Sequence, residues 1–368
     1  MSTSTIYPGF QPQHGYTLVY ENGNPRMMHN FYVCENESSE IFLTDLANIF
    51  KIKKVDKGKI LVLNEDSKVG KYTVLACIGN GSYGSVYRVI DEYDQIWVIK
   101  VQGLKSGLVE ERFIKRLKGI PNVIQIEETY TTDDFHFMVM NEYSSTLLDF
   151  KKRTSQEWCF ILEKLLRALS AIHERGIVHC DIKPENILMD GDEPVIADFG
   201  LAGEMGEMGG LIVSWYFRHP KIAEKLLDFK DKKSAYHSNV FEKRAYVDIW
   251  ALGASMFEVI SRKVLFYQCG VYRDKYFFNS ELQLYQAIKA QEEIPFGIYN
   301  IINFHVTKAD VFSKKEHSET LIYILTEMLN SNSLYEAKDL LFLFDENYRE
   351  KVLFDGLDFE DYRVPICG

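Results

Sequence analysis

Disulfide and zinc signatures are missing from this chain. Its six cysteines, Cys34, Cys77, Cys159, Cys180, Cys269 and Cys367, are scattered, and no two stand as a Cys-x-x-Cys pair. Neither a disulfide framework nor a zinc site is expected, and a reducing compartment is. No apolar run approaches the roughly 20 residues that a membrane span needs. The start, Met1-Ser2-Thr3-Ser4-Thr5, lacks the basic segment and apolar run of a secretory signal. A cytoplasmic or nuclear protein with no membrane partner is the expectation. Positive charge is also in deficit: 42 Lys and Arg face 53 Asp and Glu, for a net charge of −11. That balance argues against a general nucleic-acid binder, while leaving room for a local basic patch.

What is present suits a folded protein. Apolar residues make up 46% of the 368 and charged residues 26%, enough for two or three lobes, each with its own core. In the first 70 residues, Tyr16-Thr17-Leu18-Val19-Tyr20 and Phe31-Tyr32-Val33-Cys34 read as strands joined through the turn-like Asn22-Gly23-Asn24-Pro25. Ile41, Leu43, Leu46, Ile49 and Phe50 suit a short amphipathic helix, and Lys59–Leu63 another strand. Aromatic and branched residues are too plentiful here for a tail. Lys51, Lys53, Lys54, Lys57 and Lys59 form a local basic run. A solvated face is its ordinary reading, and a phosphate-contacting or nuclear-targeting patch the alternative.

Tyr72–Cys77 then reads as a strand entering Ile78-Gly79-Asn80-Gly81-Ser82-Tyr83-Gly84-Ser85-Val86. Glycines at this spacing let a backbone turn tightly and approach phosphates closely. A dinucleotide-binding turn competes for the pattern, but such a turn opens a helix. Here Val86–Ile90 has strand composition, Asp91–Gln95 turns, and Ile96-Trp97-Val98-Ile99-Lys100 is another strand. Further on, Trp158–Arg175 has Ile161, Leu165, Leu166, Leu169 and Ile172 at helical spacing, with Ser155 as candidate N-cap and Gly176 as the stop.

The densest chemistry follows in His179-Cys180-Asp181-Ile182-Lys183-Pro184-Glu185-Asn186-Ile187-Leu188, then Asp198-Phe199-Gly200. Ile187-Leu188-Met189 and Pro194-Val195-Ile196-Ala197 read as short buried strands between them. Together with the glycine turn and the strand ending in Lys100, this set resembles the protein kinases of the Ser/Thr branch. The resemblance runs from about residue 71 to 341. It implies an α+β, two-lobed protein-kinase fold, a small antiparallel-sheet lobe followed by a mainly helical lobe, with ATP between them and an extra N-terminal segment. It also implies roles. Asp181 accepts the proton of the substrate hydroxyl, Lys183 neutralises the moving phosphoryl group, and Asn186 and Asp198 hold Mg²⁺. Residues Ile78 to Val86 cover the phosphates and Lys100 pairs with them. Val98, Met140 and Leu188 frame the adenine, and His179 and Phe199 pack behind the site. Val98 stands where the family usually has Ala. Met140-Asn141-Glu142-Tyr143 corresponds to the hinge between lobes.

In this family a helical Glu holds the lysine, and Glu110 and Glu111 both qualify. Phe113, Ile114 and Leu117 lie at +3, +4 and +7 from Glu110, which places Glu110 on the apolar stripe. Glu111 is rotated about 100° away. The ordinary alternative leaves both glutamates in solvent.

The departures from the family are as informative. Cys180 replaces the Arg that usually precedes the catalytic Asp and binds a phosphorylated residue of the activation loop. That loop, Leu201 to Val213, contains no Ser, Thr or Tyr. Control by loop phosphorylation is therefore not expected. Ser214-Trp215-Tyr216-Phe217-Arg218-His219-Pro220-Lys221 resembles the end of the activation segment, with Lys221 in place of the usual Glu. No Arg follows in Leu325–Leu341 to pair with such a Glu. Residues 221–246 are long and charged, a surface insertion in this reading, and Asp248 and Trp250 return to the pattern. Arg262–Phe266 and Glu281–Tyr285 resemble, weakly, the cyclin-dependent and mitogen-activated branch.

The expected organisation is an N-terminal module over 1–70, lobes over 71–143 and 144–345, and a tail over 346–368. Protein substrates are the expected partners, with a regulatory partner conceivable through the extension. A kinase fold that has lost catalysis and serves as a scaffold is the competing reading, as is an extension that binds a partner or nucleic acid. Every catalytic position is filled, which favours the enzyme.

Overall fold

Stretches rich in branched and aromatic residues, separated by turns, build the main sheet. In this computed structural model the described residues are 16–21, 24–29, 50–55, 58–81, 84–149, 152–210, 214–225, 241–265, 297–309, 315–332 and 335–344. The chain divides into two compact units, one ending at Glu142 and the other running from Tyr143 onward. The segment Ile120–Val123 belongs to the second.

The first unit begins with two antiparallel hairpins, β1 (Tyr16–Glu21) with β2 (Asn24–His29) and β3 (Phe50–Val55) with β4 (Gly58–Leu63). The partner of the first strand is thus Asn24–His29 rather than Phe31–Cys34, because the chain reverses directly after Glu21; residues 31–34 lie outside the described residues. Of the expected helix over 41–50, only Phe50 is described, and it starts β3.

The main sheet follows: β5 (Lys68–Val69), β6 (Tyr72–Gly81), β7 (Gly84–Ile90), β8 (Ile96–Gly103), β9 (Ile126–Thr131) and β10 (Phe135–Asn141), in the order β5-β6-β7-β8-β10-β9. Residues two apart share a face. Tyr72 and Val74, Tyr87 and Val89, Ile99 and Val101, and Phe137 and Val139 therefore form one buried cluster. Leu61 and Leu63 of β4 enter the same cluster, and the Leu63 N–H donates to the Tyr87 hydroxyl at 3.2 Å. The last strand of the extension is thereby part of this core. Helix α1 (Leu104–Arg116) buries Glu110, Phe113 and Ile114. A Cβ on Gly107 would collide with the His136 ring, so glycine is what lets α1 settle onto β10.

The second unit is mainly helical. Strand β11 (Ser145–Thr146) is followed by α2 (Ser155–Glu174). Its N-cap is Thr154, not Ser155: Thr154 and Glu157 form a reciprocal capping box, while Ser155 is already helical, buried, and bonded to Ser318. Gly176 leaves the helix at φ +71°. Short strands β12 (Ile177–Val178), β13 (Ile187–Asp190), β14 (Glu193–Ile196), β15 (Gly203–Glu204) and β16 (Met208–Gly209) lead to α3 (Pro220–Glu224) and β17 (Phe241–Glu242). Helix α4 (Ala245–Ser261) is apolar nearly all round, and it is the buried axis of the unit, with Trp250 1% exposed. Helices α5 (Gly297–Ala309) and α6 (Lys315–Met328) pack against it, and α7 (Ala337–Leu341) against α2.

Candidate active site

The hairpin β13–β14 explains how Asn186 and Asp198, distant in sequence, come to one place. Its register sets Ile187 opposite Ile196, so the residues flanking the hairpin meet, and the Ala197 N–H donates to the Asn186 carbonyl at 2.9 Å. Asn186 ends a one-turn 3₁₀ helix, Pro184–Asn186, and turns its amide nitrogen toward Asp181. That nitrogen donates to the Asp181 carbonyl at 2.9 Å and to its Oδ2 at 3.0 Å. Lys183 Nζ donates to the same Oδ2 at 2.6 Å, and Ser214 Oγ to Oδ1 at 2.9 Å. Asp181 is buried and three side chains orient its carboxylate. Burial alone would lower the Lys183 ammonium, but Asp181, with Asp198 and Glu185, raises it above the usual lysine range.

The backbone beneath is braced from α4. Asp248, fully buried, accepts from the His179 N–H at 2.8 Å and the Cys180 N–H at 2.8 Å, and its Oδ2 also meets His173 Nε2 at 2.9 Å. The His179 ring accepts from the Asp181 N–H through Nδ1 at 3.2 Å, which leaves Nε2 as donor to the Ala197 carbonyl at 3.0 Å. Its edge meets the Phe199 ring at 4.6 Å between centroids. Cys180 and Asp198 both hold left-handed backbone, φ +66° and +64°. Such geometry costs a non-glycine residue about 1–3 kcal/mol and concentrates at functional sites.

In the first unit, the sheet face opposite the apolar cluster carries another set. Val86 and Met138 stand opposite Lys100, and Met140 opposite Val98, so all five share that face. Lys100 Nζ donates to both carboxylate oxygens of Glu110, at 2.8 and 2.7 Å, and Gln102 Nε2 adds a bond to Glu110 at 2.7 Å. Glu111 is buried too, contrary to the view that it only faces solvent. It meets Lys115 at 2.5 Å, Thr129 at 3.1 Å and His136 at 3.2 Å. Gln102 escaped the sequence reading, although its place two residues after Lys100 puts it on the same face of β8. Of the glycine turn, Ile78 is exposed and Ser82 and Tyr83 lie outside the described residues. Gly84 is required by the fold: a Cβ there would strike the Val101 carbonyl oxygen. At Gly79 a Cβ would sit an ordinary 3.6 Å from Val86.

A family model for the protein kinase domain matches residues 72–334. The chain belongs to the protein kinase family. Among its relatives, cyclin-dependent kinase F-4 of Oryza sativa subsp. japonica is 29% identical over 211 residues, covering 53% of this chain and 43% of the relative. The cyclin-dependent kinase 4 homolog of Caenorhabditis elegans is 28% identical over 284 residues, 68% of this chain and 65% of the relative. Mitogen-activated protein kinase 12 of Mus musculus is 27% identical over 214 residues, 53% and 54%. The chain thus spans about half the length of the curated relatives it matches. These are cyclin-dependent and mitogen-activated kinases, the branch that Arg262–Phe266 and Glu281–Tyr285 weakly resemble; residues 266–296 lie outside the described residues.

Proposed function

We propose that this kinase transfers the γ-phosphate of ATP to serine or threonine hydroxyls of protein substrates. The observation that carries the reading is the three-fold fixing of the Asp181 carboxylate by Lys183, Asn186 and Ser214. A carboxylate held in one orientation suits the acceptance of a hydroxyl proton. Lys183, its charge favoured by its surroundings, neutralises the phosphoryl group as it moves. The donor set fits a hard cation: the amide nitrogen of Asn186 is committed to Asp181, which leaves its amide oxygen for Mg²⁺, and Asp198 would add a carboxylate oxygen. When bound, that ion offsets the charge of the phosphates. Lys100, held by Glu110, serves the α- and β-phosphates. Val86, Val98 and Met140, on the same sheet face, serve the adenine. No steric need of the fold explains glycine at 79, so its open backbone is left for a phosphate to approach.

Activity in this reading does not depend on activation-loop phosphorylation. Cys180 is buried among Val178, Ile222, Phe241 and Val247, and no hydroxyl residue stands in 201–213. The test is transfer of radiolabelled phosphate from ATP to protein substrate by wild type and Asp198→Asn. Signal from wild type alone is expected, and equal signals would sink the enzyme reading in favour of a scaffold. A functional phosphosite within 201–214 would sink the regulatory part.

A further inference from the structure

The stretch that binds phosphate in the family's activation loop lacks both halves here, yet residues 203–209 are closely held. Strand β15 pairs with β12, and β16 pairs with β17. Between these pairings the Gly206 N–H donates to the Lys243 carbonyl at 2.8 Å, and the Lys243 N–H to the Glu207 carbonyl at 2.8 Å.

Lys243 was expected in a charged surface insertion. Instead its side chain is only 10% exposed, and its Nζ meets Glu207 Oε2 at 3.1 Å. The same Oε2 accepts the Glu204 N–H at 3.3 Å, which ties the carboxylate into the turn it closes. The lysine stem lies in a slot between two glycines. A Cβ on Gly203 would run into Lys243 Nζ, and one on Gly209 would come within 3.0 Å of its Cε. Neither glycine has a positive φ, and a Cβ on Gly203 would also come within 2.7 Å of Glu207 Oε2, so glycine there leaves room for both members of the pair. Cys180 matters for the same reason: it fills its place with an apolar side chain and brings no second cation to compete for Glu207.

We propose that Lys243 and Glu207 form a built-in latch that orders the activation segment without phosphate, with Lys243 as a positioning residue. Acid on the loop and cation on the anchoring strand keep the polarity of a phosphate clamp, but both charges are encoded in the chain. A buried ammonium demands a counter-charge, so the loop that carries Glu207 is drawn onto Lys243. The consequence for catalysis rests on the kinase reading above; the ordering of the segment does not.

Hydrogen exchange on the full chain tests the latch, comparing wild type with Lys243→Met, Glu207→Gln and the double variant. Exchange of the Gly206 amide is expected to rise at least tenfold in each single variant. The double variant should be no worse than either, because both single changes remove one interaction. Phosphate transfer should fall about tenfold in kcat, with KM for ATP within twofold. Glu207→Gln, on the exposed side of the pair, keeps the test available if Lys243→Met does not fold. Unchanged exchange at 204–209, or effects of the two changes that simply add, would overturn the latch. A wild type that shows the exchange pattern but transfers no phosphate would overturn the kinase reading and leave the latch standing.

Discussion

Removing the Glu110 carboxylate should cost this protein stability as well as activity. Lys100 and Glu110 have side chains only 11% and 2% exposed, and two hydrogen bonds at 2.8 and 2.7 Å join them. Breaking one side of a buried ion pair costs about 3–5 kcal/mol, because the remaining charge keeps its desolvation penalty. Lys100 has further interactions, which points to the low end, about 3 kcal/mol for Glu110→Ala. That is a large share of a stability of about 5–15 kcal/mol. Replacing both partners with apolar residues of similar volume, Lys100→Met with Glu110→Leu, removes the unpaired charge and should recover part of that cost, the Gln102 amide still losing its acceptor. Glu111→Gln is the comparison, since the Lys115 partner of Glu111 is 63% exposed and solvent can take over. Denaturant unfolding followed by tryptophan fluorescence reads these differences, and a phosphate-transfer assay should find both Glu110 variants inactive. A Glu110→Ala cost no greater than that of Glu111→Gln, or a double variant as unstable as the single, would refute the reasoning.

Three further outcomes follow from the second unit. Burial, with Lys221 nearby, pushes His219 down to about 3, and its Nδ1 accepts the Lys221 N–H at 3.1 Å. The folded state keeps this ring neutral while the unfolded chain protonates near its ordinary value. Stability is therefore lost as pH falls below about 6.5, by about 2 kcal/mol between pH 7 and pH 5; urea unfolding at the two pH values checks this, and His219→Asn should flatten the slope. Burial also pushes the Cys180 thiol up, whereas Cys77 is exposed, so alkylation mapped by mass spectrometry should mark Cys77 in the native protein and Cys180 only in denaturant. Thr154→Ala removes a capping box and should cost about 1 kcal/mol in denaturant unfolding.

Much of this geometry was readable before any coordinates, for local reasons. The main sheet follows from runs of branched and aromatic residues separated by turn residues, and the inward face of Glu110 from the 3.6-residue period that carries Phe113 and Ile114 inward. The meeting of Asn186 with the Asp198 end follows from two short apolar runs able to pair as a hairpin. One miss was local and legible: Thr154-Ser155-Gln156-Glu157 carries the spacing of a capping box, which favours Thr154 over Ser155. What could not be read depends on contacts between distant segments. Leu61 and Leu63 look like any strand until they join the cluster of Tyr72 and Tyr87. Lys243 looks like one more surface charge until its ammonium is found on Glu207. His136 under Glu111 is likewise invisible to helix periodicity, because it comes from another strand.

The most direct measurement is phosphate transfer to a degenerate peptide library by full-length protein first stripped with a phosphatase. The account predicts labelled serine and threonine peptides, undiminished by the phosphatase and abolished by Asp181→Asn. No transfer, transfer that Asp181→Asn leaves intact, or transfer that the phosphatase removes would contradict it.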